Sequence, residues 1–176
     1  MRYIRLRGKH CDKFAMIDDK HFDLVSKYNW YFNSEGYAIG YIPPRGRIIS
    51  MHKLILPSIE GKEIDHRDGN KLNNRNDNLR YATRTQNHAN RHKKSRRKYS
   101  NYKGVGYRND RFRRKPWKAV VCVNGKVIRI GDYSTEEEAV IAYNQKATEV
   151  FGEYAYLNVL GASTTTCVPP QKRMKI

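Results

Sequence analysis

Short apolar runs separated by turn residues fill the first fifty positions of the chain. Tyr3-Ile4-Arg5-Leu6 alternates apolar and basic residues, and Phe14-Ala15-Met16-Ile17 is a brief apolar run. Both predict short strands. Phe22-Asp23-Leu24-Val25 predicts a single helical turn. Tyr28 to Phe32 and Tyr37 to Ile42 flank Asn33-Ser34-Glu35-Gly36, a sequence suited to a hairpin turn. Pro43-Pro44-Arg45-Gly46 predicts a loop, and Ile48 to Leu56 leads on from it. Residues 51 to 91 then read as strand, long loop, strand, helix. The loop is rich in asparagine, Leu79-Arg80-Tyr81-Ala82 is the second strand, and Thr83 with Gln86 forms a T-x-x-Q capping box that starts the helix.

The pattern changes again beyond residue 101. Gly104 to Arg108 is strand-like, Trp117 to Val123 is a strand, and Asn124-Gly125 is a strong hairpin turn before the return strand Lys126 to Ile130. Ser134, with Glu137 three residues on, predicts a helix start. Ala139, Tyr143, Ala147, Val150 and Phe151 recur at helical spacing, and Gly152 ends the helix. Alternation puts Trp117, Ala119 and Val121 on one sheet face and Lys118, Val120 and Cys122 on the other, while Ile128 and Ile130 oppose Arg129. The predicted fold is α+β: N-terminal strands, a strand–strand–helix unit, then a three-stranded antiparallel sheet packed on one helix. The predicted divisions are a β-rich scaffold at 1–50, the central unit at 51–92, a basic linker at 93–100, the sheet-and-helix unit at 101–160, and a disordered tail at 161–176.

Charge narrows the class of function. Lys and Arg total 35 against 17 Asp and Glu, a net +18. Thirteen of those cations lie between Arg91 and Lys118, where Asp110 is the single acid. Such an excess calls for a polyanionic partner, nucleic acid before an anionic membrane. The sequence has no apolar stretch long enough to span a bilayer and no secretory signal pattern. Cys11, Cys122 and Cys167 form no C-x-x-C pair, so no structural zinc is expected, and three free thiols fit a reducing, cytoplasmic setting.

The central unit resembles the His-Asn-His (HNH) nucleases, most specifically the branch found in phage homing endonucleases. The residues that carry this are Asp65-His66, Asn73-Asn74, Asn78-Leu79-Arg80 and Asn87. Asn78 and Asn87 stand 12 and 21 residues past His66, and His52-Lys53-Leu54 resembles the H-R-L that often precedes the motif. The third motif position, commonly histidine, is Asn87 here, as in some homing members. The resemblance implies a ββα-metal fold, a metal-dependent DNA endonuclease with Asp65, His66, Asn78 and Asn87 in its site, and cleavage leaving a 5′ phosphate and a 3′ hydroxyl. A phage origin would place it in the bacterial host cytoplasm.

Chemistry assigns the roles. A neutral histidine can take a proton near pH 7, so His66 is the general base. A carboxylate and an amide oxygen suit Mg²⁺ or Mn²⁺, so Asp65 and Asn87 are the expected metal ligands. His92, four residues after His88 on the presumed helix, is the rival to Asn87. Asn78 is expected to tie the asparagine-rich loop to the hairpin. Adjacent strand residues point to opposite sides, so the strand must end or twist at Asp65-His66 for both to serve one phosphate.

The C-terminal unit resembles the DNA-binding domain of plant Apetala-two/ethylene-response-factor proteins through Tyr102-Lys103-Gly104-Val105, Trp117-Lys118-Ala119, Ile130-Gly131, Glu138-Ala139, Ala142-Tyr143 and Leu157-Asn158. That resemblance implies double-stranded DNA read by the sheet. The acidic start of the helix independently favours the sheet as the DNA side. Expected DNA contacts are Arg91, Lys93, Lys94, Arg96, Arg97, Lys103, Arg108, Arg111, Lys118 and Arg129. One catalytic motif and no coiled-coil pattern suggest a monomer that nicks one strand. The alternatives are a non-cleaving DNA-binding regulator with the same two folds, and an RNA-binding protein.

Overall fold

A computed structural model describes residues 1–44, 46–91, 99–109 and 114–161. His92, Lys93, Lys94, Arg96, Arg97, Arg111, Cys167 and the predicted tail beyond Gly161 lie outside the described residues. The chain divides into two units, Met1–Asn87 and His88–Ile176.

In the first unit, β1 (Arg2–Arg5) and β2 (Phe14–Ile17) pair antiparallel, and α1 (Phe22–Val25) is the predicted single turn. A three-stranded sheet follows, built of β3 (Trp30–Phe32), β4 (Ala38–Ile42) and β5 (Arg47–Ser50) in that order. The predicted hairpin turn joins β3 to β4. Asn33 accepts from the Tyr37 backbone N–H through its side chain at 2.8 Å, and Gly36 takes a positive φ of 92°. The stretch Ile48 to Leu56 is split between the end of β5 and a short helix, α2 (Met51–Ile55), a division its continuous apolar pattern hid.

The motif itself forms β6 (Glu63–His66) and β7 (Leu79–Ala82), paired Glu63 to Ala82 and Asp65 to Arg80, and then α3 (Arg84–Asn90). The capping box closes as its sequence requires: the Gln86 backbone N–H donates to Thr83 Oγ1, and the Thr83 N–H donates to Gln86 Oε1. One core serves both the N-terminal strands and the motif. Leu6, Ala15, Ile17, Val25, Trp30, Met51, Ile55 and Leu79 are buried together. Each large side chain here contributes roughly 1.5–3 kcal/mol by leaving water. Trp30 also donates its indole N–H to the Val25 carbonyl at 2.9 Å, so its polar atom is satisfied inside the core.

The second unit holds β8 (Val105–Tyr107), β9 (Trp117–Val123) and β10 (Lys126–Tyr133), ordered β10-β9-β8 and antiparallel throughout, with α4 (Glu136–Phe151) packed on one face. Asn124 and Gly125 both take positive φ, 50° and 78°, as the two-residue turn between β9 and β10 demands. Ala139, Tyr143 and Ala147 of α4 are buried with Val105, Ala119 and Val121 of the sheet. The helix cap falls one residue later than Ser134 and Glu137. Thr135 Oγ1 accepts from the Glu138 N–H, and the Glu138 carboxylate accepts from the N–H groups of both Ser134 and Thr135. β10 continues past Ile130 because a bulge there lets the ladder resume at Gly131.

Asn158 is buried and joins two ends of this unit. Its side chain accepts from the Lys103 N–H at 2.7 Å and donates to the Lys103 carbonyl at 3.0 Å, while its main chain exchanges hydrogen bonds with the Asn144 amide. Gly104 next to it has a φ of 73°, and a Cβ there would overlap the Tyr143 ring and sit 2.5 Å from the Val120 carbonyl oxygen. Gly104→Ala is therefore expected to destabilise the second unit by at least about 2 kcal/mol, through strain and overpacking together. Urea denaturation followed at Trp117 measures it, and an unchanged midpoint would refute the tight fit.

Candidate active site

β6 ends at His66, and the next residues turn away through Gly69, whose φ is 72°. Strand alternation then governs the site. The Asp65 and His66 side chains leave the strand on opposite faces and find different surroundings.

His66 is 4% exposed. Its ring lies edge-on to His52 with centroids 5.3 Å apart, and Tyr37 stands 4.9 Å from His52 and 6.0 Å from His66. His66 Nε2 is 3.5 Å from Asn74 Oδ1. Burial pushes the His66 pKa below its ordinary value; the Asn74 hydrogen bond and the charges of Asp68 and Asp65 oppose that shift without reversing it. The imidazole is thus neutral at pH 7, the form in which it can accept a proton. His52 is pushed down to about 3, first by burial and then by His66, Lys53 and Lys71.

Asp65 is paired with Arg80, its cross-strand neighbour. Arg80 Nε and Nη2 both lie 2.9 Å from Asp65 Oδ2, and both side chains are almost fully buried. The structure therefore sets Asp65 beside a guanidinium, and β6 ends at His66, the strand end that the expected approach of the two residues to one phosphate required. Asn87, on α3, donates its Nδ2 to Glu63 Oε2. Glu63 precedes Asp65 by two, so both leave β6 on the same face. Glu63 went unrecognised in the sequence, although period-two spacing from Asp65 marks it, and Arg80 was recognised as part of the motif but not as the partner of Asp65.

Among the described residues no three His, Cys, Asp or Glu side chains gather as a metal site. The donors on this face are instead oxygens: the carboxylates of Glu63 and Asp65, and the amide oxygen that Asn87 keeps when its nitrogen faces Glu63. That chemistry fits a hard divalent cation. Asp65, Asn87 and Glu63 are the residues that would hold one, with Arg80 competing for Asp65.

The loop between β6 and β7 is held by its own amides. Asn78 Nδ2 donates to Asp68 Oδ1 at 2.9 Å and to the Asn73 carbonyl at 2.7 Å, and Asn78 Oδ1 accepts from the Asp68 N–H at 3.0 Å. Asn73 Nδ2 donates to Asp68 Oδ2 at 2.7 Å. The loop walls an open cleft of about 400 Å³ lined by Arg67, Asp68, Asn73, Arg75, Asp77 and Asn78.

The described residues among the expected DNA contacts divide. Lys118 and Arg129 stand on the sheet face away from α4. The bulge at Ile130 brings Asp132 to that same face, opposite Lys118 and in an ion pair with Arg129. Arg108 is half-buried and Arg91 exposed. Lys103 does not fit the expectation. Its ammonium donates to the carbonyls of His88 and Arg91, at 3.2 and 2.8 Å, and to that of Ala89. Burial lowers its pKa to about 8, so the cation is spent on a helix end rather than offered to phosphate.

Comparison with known proteins agrees with the motif. The HNH endonuclease family model matches residues 37–89. An uncharacterized HNH endonuclease of Acanthamoeba polyphaga mimivirus is 38% identical over 162 residues, which span 89% of this chain and 80% of that protein. The chain belongs to the HNH endonuclease family. A nuclease activity, nucleic-acid binding and use of a divalent metal are what the family brings. No solved structure gives a significant match. Among the described residues no helix is long and apolar enough to cross a membrane.

Two outcomes follow from this HNH site. Asp65→Ala leaves Arg80 buried without its counter-charge and is expected to cost about 3–5 kcal/mol of stability. Asp65→Ala combined with Arg80→Met should recover most of that loss in urea denaturation. His52, neutral when folded, takes up a proton on unfolding below pH 6.5. Stability should therefore fall as pH drops from about 6.5 toward about 3, by on the order of a few kcal/mol. His52→Phe keeps the packing against Tyr37 and should flatten that slope. An identical pH dependence in the two proteins would show that His52 is not buried neutral.

Proposed function

We propose that the protein is a site-directed DNA endonuclease of the homing type, with His66 as general base, nicking one strand of double-stranded DNA as a monomer. The observation that carries this reading is His66 itself. Its imidazole is neutral at pH 7, held by Asn74 and packed against His52 at the end of a strand whose other face carries the oxygen donors.

His66 takes a proton from the attacking water, and the loop bonded to Asn78 keeps the strand end in place for that transfer. Asp65 and Asn87, with Glu63 bonded to Asn87, would hold Mg²⁺ or Mn²⁺. Such an ion, when bound, neutralises the phosphate and stabilises the departing oxygen. The products follow the family resemblance, a 5′ phosphate and a 3′ hydroxyl.

We assign target reading to the second unit, by its resemblance to the Apetala-two/ethylene-response-factor domain. Charge placement supports the sheet as the reading face. α4 opens with Glu136, Glu137 and Glu138, which repel phosphate, whereas the opposite sheet face carries Lys118 and Arg129. Phosphate contacts from Arg91, Lys93, Lys94, Arg96, Arg97 and Arg111 would supply the salt-dependent part of affinity. The setting proposed is the cytoplasm, that of a bacterial host if the protein comes from a phage.

Nicking of supercoiled plasmid, with Mg²⁺ and then with a chelator, tests the activity. His66→Ala should lower single-turnover cleavage on the order of 100-fold or more with DNA affinity nearly intact. DNA binding with no cleavage by wild type under any divalent metal would favour the regulator instead. Arg129→Ala should weaken binding to the cleavage site by roughly 1–3 kcal/mol while leaving scrambled DNA almost unaffected. Equal losses on both DNAs would make Arg129 a phosphate contact.

A further inference from the structure

Asn74 is 1% exposed, more deeply buried than any other polar residue of the site. A buried amide is tolerated when its atoms have partners, and the partners here decide which way it faces. Its backbone N–H donates to the Met16 carbonyl at 2.8 Å. Its side-chain nitrogen lies 3.1 Å from the Leu72 carbonyl oxygen. That carbonyl already accepts from the Met16 N–H at 2.8 Å, so it can only accept again. Turning the amide over would set two acceptor oxygens against each other at 3.1 Å. Nδ2 must therefore face Leu72, and Oδ1 must face His66 Nε2, from which it is 3.5 Å away.

An amide oxygen is acceptor only. For a neutral imidazole to satisfy it, the ring proton must be on Nε2, which leaves the lone pair on Nδ1. The walls of the pocket support the same orientation. His52 meets the ring edge-on and Tyr37 stands beside both, so the imidazole plane is set by packing as well as by the hydrogen bond.

We infer that Asn74 is a positioning residue for cleavage: it accepts from His66 Nε2–H, fixes the ring tautomer and makes Nδ1 the nitrogen that takes the proton from water. This rests on the reading of His66 as general base. In the step, the water proton passes to Nδ1 while the water oxygen forms its bond to phosphorus. The bond from phosphorus to O3′ breaks, and O3′ takes a proton from solvent. The resulting imidazolium carries its charge onto the Nε2–H that Asn74 already holds, and a charge-assisted hydrogen bond is stronger than the neutral one it replaces.

The test uses the full-length protein with ¹⁵N-labelled histidine, beside cleavage kinetics. In the wild type, proton–nitrogen correlation of neutral His66 should show Nε2 protonated. Asn74→Leu should mix the two tautomers and lower kcat on the order of 10-fold or more with KM unchanged. Asn74→Asp, which as a buried neutral acid donates its O–H to the Leu72 carbonyl and keeps its other oxygen toward His66, should restore the Nε2–H form and most of kcat. A wild-type ring protonated on Nδ1 overturns the inference, whatever the variants do. So does a folded Asn74→Leu with full kcat. Should Asn74→Leu fail to fold, as judged by Trp30 fluorescence, the wild-type tautomer and the Asn74→Asp kinetics decide. Wild-type cleavage by His66→Ala would instead remove the general-base reading, leaving the tautomer measurement to judge Asn74 on its own.

Discussion

The first unit depends on the grip of one residue's backbone on a loop. Met16, in β2, donates its N–H to the Leu72 carbonyl and accepts from the Asn74 N–H, both at 2.8 Å. A loop of this length with so many amides would otherwise sample many turns, since each ordered residue costs about 1–2 kcal/mol of backbone entropy. The two bonds fix its middle to a strand whose Ala15 and Ile17 are fully buried. The asparagines then close the loop on itself through Asp68. Strands β1 and β2 are thus more than a platform before the motif. They set the height at which Asn74 meets His66, and the shared core makes that setting rigid.

Local chemistry was legible in the sequence where a few adjacent residues decide the outcome. Asn33-Ser34-Glu35-Gly36, Asn124-Gly125 and the Thr83–Gln86 box all formed as their residue types require. The spacing of Ala139, Tyr143 and Ala147 gave the buried face of α4. Three features were not legible, each because a distant residue decides it. The Ile48 to Leu56 run becomes strand and then helix because β5 pairs only as far as Ser50 with β4, and Met51 turns into the core. Arg80 lies fifteen residues from Asp65, and only the β6–β7 register brings them opposite. Thr135 competes with Ser134 for the cap, and both are good N-cap residues. Glu138, which also reaches the Ser134 N–H, settles the choice.

The same register shapes the chemistry of the site. In a chain of net +18 the local fields at the motif are not uniformly positive. Arg80 neutralises Asp65, and Glu63 engages Asn87, so the carboxylates of this face are held by their own partners. A buried ion pair seldom adds much net stability, because desolvation of both partners offsets their attraction. Its effect is on placement. Arg80 holds the Asp65 carboxylate at the strand and prevents it from swinging toward bulk water. A cation held there, as proposed, would have to compete with a guanidinium already in place, which would favour a doubly charged ion over a monovalent one.

Lys103 shows why counting cations overstates a nucleic-acid footprint. It belongs to the most basic part of the chain, yet its ammonium lies among backbone carbonyls and its pKa falls to about 8. The last carbonyls of a helix have no intrahelical donors, and a lysine that reaches them satisfies several at once while meeting the negative end of the dipole. Arg129 shows a milder version, sharing its guanidinium with Asp132 on the open face. A phosphate would have to displace a carboxylate to reach it, whereas a base edge offering an acceptor could bind beside one. An acid placed among the basic residues of a face proposed to read DNA lowers affinity for any backbone and spares contacts that depend on sequence. Under the proposed assignment of target reading to this sheet, its open face is better suited to discrimination than to tight binding, and cations elsewhere supply general attraction.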